Sequence, residues 1–194
     1  MSTTNIMIVG VGGQGTLLAS RILGSAMLSA GYDVKLSEVH GMSQRGGSVV
    51  TYVRYGDRID SPVICRGEAD LLLAFEELEA ARWLPYLKKG GTVITSTQRV
   101  NPMPVAAGEA AYPEGLIEKI RALGVRAIAL DALKAAREAG SEKAVNIVLI
   151  GVAAVQHGLD CALLEQTIRE TVPQKLLDIN LRAFALGREL ASHG

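Results

Sequence analysis

The segment Gly10-Val11-Gly12-Gly13-Gln14-Gly15 has the residue types and the spacing to bind an anion through its backbone. Its glycines match the G-x-G-x-x-G pattern, in which the chain turns sharply and a ligand can approach the backbone closely. An apolar run, residues 6–9, precedes the segment and a helical pattern follows it, so the amides of the first helical turn would point at a phosphate or carboxylate. The pattern alone also fits a close strand–helix crossing that binds no ligand.

A second glycine-rich segment, residues 38–47, concentrates polar side chains of different chemistry. Glu38 supplies a carboxylate and His40 an imidazole, while Arg45 stands directly before Gly46-Gly47. A guanidinium donates two parallel charge-assisted hydrogen bonds to a carboxylate or phosphate, and the neighbouring glycine amides add further donors. Taken singly, His40 would be a surface or capping histidine and Arg45 a solvated salt-bridge partner. Because both segments would emerge at one edge of an α/β sheet, a shared ligand site is favoured.

Two other enzyme classes fit these polar residues less well. Glu38 lies where a dinucleotide-binding enzyme carries the acidic residue that binds a ribose. However, the chain has no evident second domain to hold a substrate and no Tyr-x-x-x-Lys arrangement for hydride transfer. Ser43 and His40 are three positions apart, too close to form a serine–histidine pair with a separate carboxylate, and no G-x-S-x-G elbow is present. A nucleophilic hydrolase is therefore set aside, whereas dinucleotide binding stays open.

The charge and the cysteine content limit the kinds of partner and cofactor that the chain is expected to bind. The 194 residues include 20 basic and 20 acidic side chains, which gives no electrostatic case for nucleic acid or an anionic membrane. Cys65 and Cys161 are far apart and isolated, so no metal site or iron–sulfur cluster is expected on this chain. The first residues lack a leader pattern, and the longest apolar run, 147–155, is too short for a membrane span. We expect a cytoplasmic chain.

Hydrophobic periodicity predicts alternating strands and helices. The first strand and helix fall within residues 5–31, and further strands are predicted at residues 33–39, 48–55, 69–75, 92–96 and 125–130. Further helices are predicted at residues 76–89, 114–123, 131–139, 142–157, 160–171 and 175–191. The first two strands would pair in parallel, residues 59–64 could return antiparallel to the third strand, and residues 97–113 would be irregular. The expected fold is α/β: a single domain over residues 1–194, with a three-layer α/β/α, Rossmann-like mixed sheet and a helical C-terminal third.

The two glycine-rich segments together resemble a known protein family. Residues 10–15 and the longer run 38–49 are similar to the gamma-type subunit of the 2-oxoacid:ferredoxin oxidoreductases. Within that family, the branch that the chain resembles is the small beta subunit of indolepyruvate:ferredoxin oxidoreductase. The E-x-H-G-M-S-Q-R-G-G loop is the specific part, whereas the first glycine run occurs in many folds. The similarity continues in the same order through residues 90–94 and 143–151 and covers nearly the whole chain.

The resemblance implies oxidative decarboxylation of a 2-oxoacid, an aryl pyruvate such as indolepyruvate, with coenzyme A. The products would be an acyl-CoA, carbon dioxide and electrons for ferredoxin. It also implies that thiamine diphosphate, magnesium and the iron–sulfur clusters belong to a larger partner subunit, with coenzyme A as co-substrate and no cofactor bound by this chain alone. The chain would then complete or cover the active site of its partner.

Each candidate residue has an expected role in such an assembly. Arg45 would bind the carboxylate or phosphate, and His40 and Glu38 would orient it. Amides for a phosphate or for the partner's backbone would come from the two segments: Gly10, Gly12, Gly13, Gln14 through its side chain, Gly15, Gly46 and Gly47. Outside them, Glu76 is expected at a helix start near the same sheet edge, and Asn146 as a helix cap or a contact.

Two alternatives to the oxidoreductase subunit stay open. One is a stand-alone dinucleotide-binding regulatory module, and the other is a non-catalytic scaffold subunit that binds a partner and no ligand. Co-purification with a large iron–sulfur protein would favour the oxidoreductase subunit over both. Retention of an adenine nucleotide by the isolated chain would favour the regulatory module.

Replacing Arg45 by lysine should leave folding and assembly intact and lower kcat/KM for coenzyme A or for the 2-oxoacid. Lysine keeps the charge but cannot donate two parallel hydrogen bonds, and losing such a contact in a shielded site costs about 1.5–3 kcal/mol, or roughly ten- to a hundredfold in affinity. Steady-state kinetics of the reconstituted complex, with each substrate varied in turn, identify the affected one. Unchanged kinetics for both substrates would mean that Arg45 is a solvated or subunit-bridging cation.

Overall fold

In the computed structural model, the described residues, 3–40 and 46–192, form a six-stranded mixed β-sheet. His40 is described for its backbone alone, and Arg45 lies outside the described residues. The strands are β1 (Thr4–Val11), β2 (Asp33–His40), β3 (Ser48–Gly56), β4 (Ala69–Ala74), β5 (Leu87–Ser96) and β6 (Arg126–Leu130). Their order is β2-β3-β1-β4-β5-β6, with β3 antiparallel to both of its neighbours and the other adjacent pairs parallel.

Eight α-helices accompany the sheet within the same residues. They are α1 (Thr16–Ser29), α2 (Glu77–Trp83), α3 (Met103–Ala106), α4 (Leu116–Ala122), α5 (Ala132–Ala139), α6 (Val145–Gln156), α7 (Cys161–Thr171) and α8 (Leu177–Ser192). Short 3₁₀ turns follow α2 (Leu84–Tyr86) and precede α6 (Glu142–Ala144) and α8 (Gln174–Leu176). Among the described residues, no helix combines the length and the hydropathy needed to cross a membrane.

Helices cover both faces of the sheet, which gives the predicted three-layer arrangement. Helices α1 and α5 to α8 pack on one face, over a core that includes Ile6 and Ile8 of β1. Helices α2 and α4 pack on the other face, over a core that includes Met7 and Val9. Successive side chains of a strand point to opposite faces, so a strand segment buried on both sides is expected to be apolar, as residues 6–11 of β1 are.

The predicted parallel pairing of the first two strands is wrong, because β3 lies between them. In the observed register Val50 of β3 is opposite Val9 of β1 on one side and opposite Val39 of β2 on the other. β1 and β2 therefore run in the same direction without being neighbours. The alternation of apolar and polar residues along a strand indicates which faces of the strand are buried, but not which strand lies beside it. Periodicity alone therefore could not reveal that β3 lies between β1 and β2.

The helix predicted at residues 76–89 is shorter than its pattern suggests. α2 ends at Trp83, and Pro85 follows in the 3₁₀ turn. Proline has no amide hydrogen to continue a helical hydrogen-bond ladder, so the chain leaves the helix there. β5 then begins at Leu87, earlier than the predicted strand at residues 92–96.

Residues 59–64 do not form the predicted returning strand. The guanidinium of Arg54 in β3 donates hydrogen bonds to the carbonyl oxygens of Ser61 (3.0 Å) and Val63 (2.6 Å). A side chain thus satisfies backbone groups that a β-ladder would otherwise pair. The apolar content of this stretch is explained by its packing on the sheet, since Ile64 belongs to the core under α2 and α4.

Two glycines allow α6 and α8 to cross in close contact. Gly187 of α8 has no room for a side chain, because a methyl group there would collide with the carbonyl oxygen of Val148 in α6. Gly151 of α6 is equally restricted, by the carbonyl oxygen of Phe184 in α8. Because α6 is buried along most of its length, this crossing attaches the C-terminal helices to the rest of the core.

Gly187→Ala should lower the free energy of unfolding by about 1–3 kcal/mol, because the added methyl group must push two helix backbones apart. Gly24→Ala is the matched control in a helix interior: its methyl group would meet the flexible side chain of Leu36 at 2.9 Å. Alanine also favours a helix over glycine by about 1 kcal/mol. Urea denaturation followed by circular dichroism measures both variants. A Gly187→Ala protein as stable as Gly24→Ala would show that the two helices separate at no cost.

Candidate functional site

The first glycine-rich segment forms the tight turn that its sequence predicts. β1 ends at Val11 and α1 begins at Thr16. The backbone is left-handed at Gly13 (φ 101°) and Gly15 (φ 83°), a conformation that glycine adopts without strain. Gly15 is also the N-cap of α1 and offers no side-chain acceptor to the first amides of the helix. These amides therefore depend on some other acceptor.

Backbone amides of this turn are candidates for binding an anion. Within residues 3–40 and 46–192, no group accepts a hydrogen bond from the amides of Gly13, Gly15 or Thr16. The first turn of α1 carries no acidic side chain that would repel a negatively charged ligand. The partial positive charge at the start of a helix favours an anion at the same place.

A backbone hydrogen bond joins the two glycine-rich segments. The amide of Gly12 donates to the carbonyl oxygen of Gly47 over 2.9 Å. The next residue, Ser48, opens β3 in register with Val11, the last residue of β1. The amide of Gly12 is thus used within the chain, while Gly46 is exposed beside this junction.

The other predicted residues of the second segment approach the same edge of the sheet. Glu38 lies in β2 opposite Thr51 of β3 and is half-buried. β2 ends at His40, at the same edge of the sheet as the end of β1 and with β3 between them, because both strands run antiparallel to β3. The side chain of His40 and all of Arg45 lie outside the described residues, so their roles stay predictions.

The side chain of Gln14 connects the turn to the neighbouring strand β4. Its Oε1 accepts a hydrogen bond from the amide of Val11 over 2.7 Å, and its Nε2 donates to the carbonyl oxygen of Phe75 over 3.2 Å. Gly10 leaves room for this bridge, since a Cβ there would lie 2.7 Å from the Oε1 of Gln14. Packing within the chain therefore explains both residues, and among residues 3–40 and 46–192 one N–H of the Gln14 amide has no acceptor.

Asn146 holds the turn from the helical layer. It lies in the first turn of α6 and is 2% exposed, and its Nδ2 donates to the carbonyl oxygen of Gly15 over 3.2 Å. A Cβ on Gly15 would lie 2.7 Å from that Nδ2, so the asparagine fits only because residue 15 is glycine. The two residues are 131 positions apart, and no local sequence signal could have connected them.

Glu76 is a helix-start carboxylate, as predicted. It caps α2 by accepting a hydrogen bond from the amide of Glu79 over 2.9 Å, and it also accepts from the amide of Val100 (3.2 Å) and from the hydroxyl of Tyr112. Burial, followed by the contact with Glu76, raises the pKa of Tyr112 well above its usual value, which favours the protonated hydroxyl that donates this bond. These bonds hold the largely irregular segment 97–113 against α2.

Glu79 forms a second buried connection, which sequence reasoning missed. Its Oε2 accepts hydrogen bonds from the hydroxyl of Ser48 and from the indole N–H of Trp83 (3.2 Å), and its Oε1 accepts from the Nε of Arg82 (3.0 Å). Ser48 directly follows Gly47, so Glu79 anchors the end of the second glycine-rich segment. A glutamate in a helix is most often solvated, and the pattern of α2 gave no sign that this one is buried.

The buried carboxylates of α2 do not fit a magnesium–thiamine site. In the part of the chain that the structure describes, no group of three or more His, Cys, Asp or Glu side chains is arranged to hold a metal ion. Glu76 and Glu79 bind donors of this chain as described, and Glu77 accepts from the Nε of Arg99 over 3.0 Å. These carboxylates serve to position loops.

The fit between Gly15 and Asn146 can be measured with a double-mutant cycle. Gly15→Ala should cost about 1–3 kcal/mol of stability, because alanine is strained at this left-handed φ and its methyl group clashes with Asn146. Asn146→Ala should restore part of this loss in the double variant, since it removes the clash but not the strain.

Gly13→Ala is the matched control, because its φ is also left-handed but nothing lies within 4 Å of the added methyl group. Asn146→Ala should therefore not rescue Gly13→Ala. Urea denaturation of the single and double variants gives both interaction energies. Additive costs in both cycles would contradict the proposed fit.

Both glycine-rich segments lie within a region of the chain that matches a known protein family. The profile of the family described as pyruvate ferredoxin/flavodoxin oxidoreductase matches residues 5–190. A protein named indolepyruvate oxidoreductase subunit IorB, from Pyrococcus horikoshii, is 44% identical over 198 aligned residues, which cover 98% of this chain and 97% of that relative.

Two solved structures share the fold. The gamma subunit of a keto/oxoacid ferredoxin oxidoreductase from Geobacter sulfurreducens has a TM-score of 0.74 and 24% identity, with 98% of this chain and 99% of that chain covered. A 2-oxoglutarate:ferredoxin oxidoreductase from Magnetococcus marinus has a TM-score of 0.72 and 20% identity, with all of this chain and 32% of that chain covered. By sequence over nearly its whole length, the chain belongs to the pyruvate ferredoxin/flavodoxin oxidoreductase family, as a subunit of a 2-oxoacid:ferredoxin oxidoreductase.

Proposed function

We propose that this chain is the small subunit of an indolepyruvate:ferredoxin oxidoreductase and that its glycine-rich edge completes the active site of a larger subunit. The observation that carries the proposal is the hydrogen bond from Gly12 to Gly47, which joins the two family-like segments at one edge of the sheet. The name of the Pyrococcus relative supports indolepyruvate as the substrate. The reaction would be oxidative decarboxylation to an acyl-CoA and carbon dioxide, with the electrons passed to ferredoxin.

The partner in this proposal is a large subunit that holds thiamine diphosphate, magnesium and the iron–sulfur clusters, and ferredoxin binds through the complex. When bound, thiamine diphosphate stabilises the carbanion and the clusters accept the electrons. This chain acts as one domain over residues 1–194 and binds none of these groups alone, in keeping with two isolated cysteines. The Magnetococcus enzyme supports such a division, because the region similar to this chain is 32% of a much longer chain.

The contribution of this chain would be to recognise an anion. The amides of Gly13, Gly15 and Thr16 are available to it among the described residues, and Arg45 would add a guanidinium. A carboxylate of the 2-oxoacid or a phosphate of coenzyme A has the acceptor oxygens that these donors need. The Magnetococcus structure has 2-oxoglutarate, coenzyme A and succinyl-CoA bound, which supports coenzyme A as the co-substrate here.

Reconstitution with the large subunit tests the proposal. The purified chain alone should contain no stoichiometric iron or acid-labile sulfide and should not reduce a dye with indolepyruvate, because its cysteines are too isolated to ligate a cluster. The complex should reduce the dye only when both indolepyruvate and coenzyme A are present. A large subunit that is fully active without this chain would contradict the proposal, as would a stoichiometric cluster on this chain.

The same preparations separate the two alternatives. A dinucleotide-binding regulatory module would retain an adenine nucleotide when the chain is purified alone. Extraction of that protein would release the nucleotide into solution. A non-catalytic scaffold would assemble with the large subunit and tolerate Arg45→Lys without any change in kcat/KM.

A further inference from the structure

A continuous set of contacts leads from α2 to the junction of the two glycine-rich segments. Glu79 accepts a hydrogen bond from the hydroxyl of Ser48, Ser48 directly follows Gly47, and the carbonyl oxygen of Gly47 accepts from the amide of Gly12. Glu79 is 4% exposed, so its bond to Ser48 is shielded from water. A hydrogen bond to a carboxylate is stronger in such surroundings than at the surface.

We propose that Glu79 is a positioning residue for the reaction. Through Ser48 it fixes Gly47 where the bond to Gly12 can form, and this bond keeps the glycine turn oriented toward its anion. The identity of the anion rests on the proposed function, whereas the contact chain does not. Glu79 itself does not reach the turn, so its whole effect passes through Ser48.

The contacts of Glu79 distinguish this role from a simple ion pair. Its Oε1 meets the Nε of Arg82, whose side chain is 49% exposed, and such a pair contributes little to stability. Its Oε2 is enclosed instead by two neutral donors, the hydroxyl of Ser48 and the indole of Trp83. An ion pair alone would require neither donor, so the second oxygen is the one that positions the loop.

Trp83 supplies a spectroscopic signal at this contact. It is the only tryptophan in the sequence, and its Nε1 lies 3.2 Å from the Oε2 of Glu79 and 3.3 Å from the Oγ of Ser48. A change in the contact between Glu79 and Ser48 alters the hydrogen bonding of the indole. The emission of Trp83 should therefore shift in Glu79→Gln and in Ser48→Ala.

Glu77 provides a matched control in the same helix. It is 6% exposed, and it pairs with Arg99 over 3.0 Å as Glu79 pairs with Arg82. Its partner lies in the segment 97–113 and not in the second glycine-rich segment. Glutamine at either position removes one negative charge from α2 and preserves the shape of the side chain.

Hydrogen exchange of the Gly12 amide in the full chain tests the contact chain without substrate or partner. Ser48→Ala and Glu79→Gln should each speed this exchange by about tenfold or more. Ser48→Ala removes the hydroxyl that donates to Glu79, and Glu79→Gln leaves one acceptor oxygen where Glu79 uses two, one for Ser48 and one for Arg82. Ser48→Thr keeps the hydroxyl and should restore the wild-type rate, and Glu77→Gln should leave it unchanged. Unchanged exchange in Ser48→Ala would overturn the proposal, as would equal acceleration in Glu77→Gln.

Kinetics of the reconstituted complex test the consequence for the reaction. Ser48→Ala should raise KM by about tenfold for the substrate whose anion the turn binds and change kcat less, since the altered step is binding. Glu77→Gln should keep both constants. Equal losses in Ser48→Ala and Glu77→Gln would overturn the positioning role. A wild-type complex inactive with indolepyruvate would overturn the proposed function instead, and the exchange result would still decide the contact chain.

Discussion

β3 hydrogen-bonds to β1 on one side and to β2 on the other, with its first residue, Ser48, in register with Val11 at the end of β1. This register brings the chain that enters β3 beside the chain that leaves β1, so the carbonyl oxygen of Gly47 reaches the amide of Gly12. A slip of one residue would turn every side chain of β3 to the opposite face and would break this junction. The two apolar cores therefore fix the register, and the register fixes the site.

The glycine turn is attached to three different elements of the fold. Gln14 ties it to the end of β4, Asn146 ties it to α6, and Gly47 ties it to the start of β3. Its left-handed residues are thus held from several directions before any ligand arrives. A binding loop that is ordered by folding loses little conformational entropy when it binds, which is the physical advantage of this arrangement for recognising an anion.

Sequence reasoning was successful where the physical requirement is local. The glycine turn, the cap at Glu76, most of the elements and the α/β class follow from residue types and spacing, and the fold and the family assignment are confirmed. The parallel pairing of the first strands and the strand at residues 59–64 were wrong, because partners distant in sequence decide them. The second helix was predicted too long, because the effect of Pro85 was not taken into account. The ligand roles of Arg45, His40 and Glu38 and the single-domain boundary stay predictions.

The functional connections that sequence reasoning missed are all long-range contacts of buried polar groups. Asn146 is 131 positions from Gly15, and Glu79 is 31 positions from Ser48. Neither partner has a motif, because a buried amide or carboxylate requires a donor or acceptor but not a fixed spacing. Glycine, in contrast, is required by the backbone at its own position, which is why the two glycine-rich segments were visible.

The three glutamates of residues 76–79 show how burial changes the meaning of a residue type. A group of carboxylates beside a candidate site would suggest metal binding or acid–base chemistry, yet each of these glutamates binds a donor from outside α2. Glu76 accepts from the amide of Val100, Glu77 from Arg99 and Glu79 from the hydroxyl of Ser48. A buried carboxylate is strongly destabilising unless such donors satisfy it, so each one restricts the loop that supplies them. These three carboxylates are thus used within the chain, whereas the amides of Gly13, Gly15 and Thr16 have no acceptor among the described residues and are available to a ligand. Amides at the start of a helix are well placed to bind and orient an anion, because the partial positive charge of the helix lies at the same end.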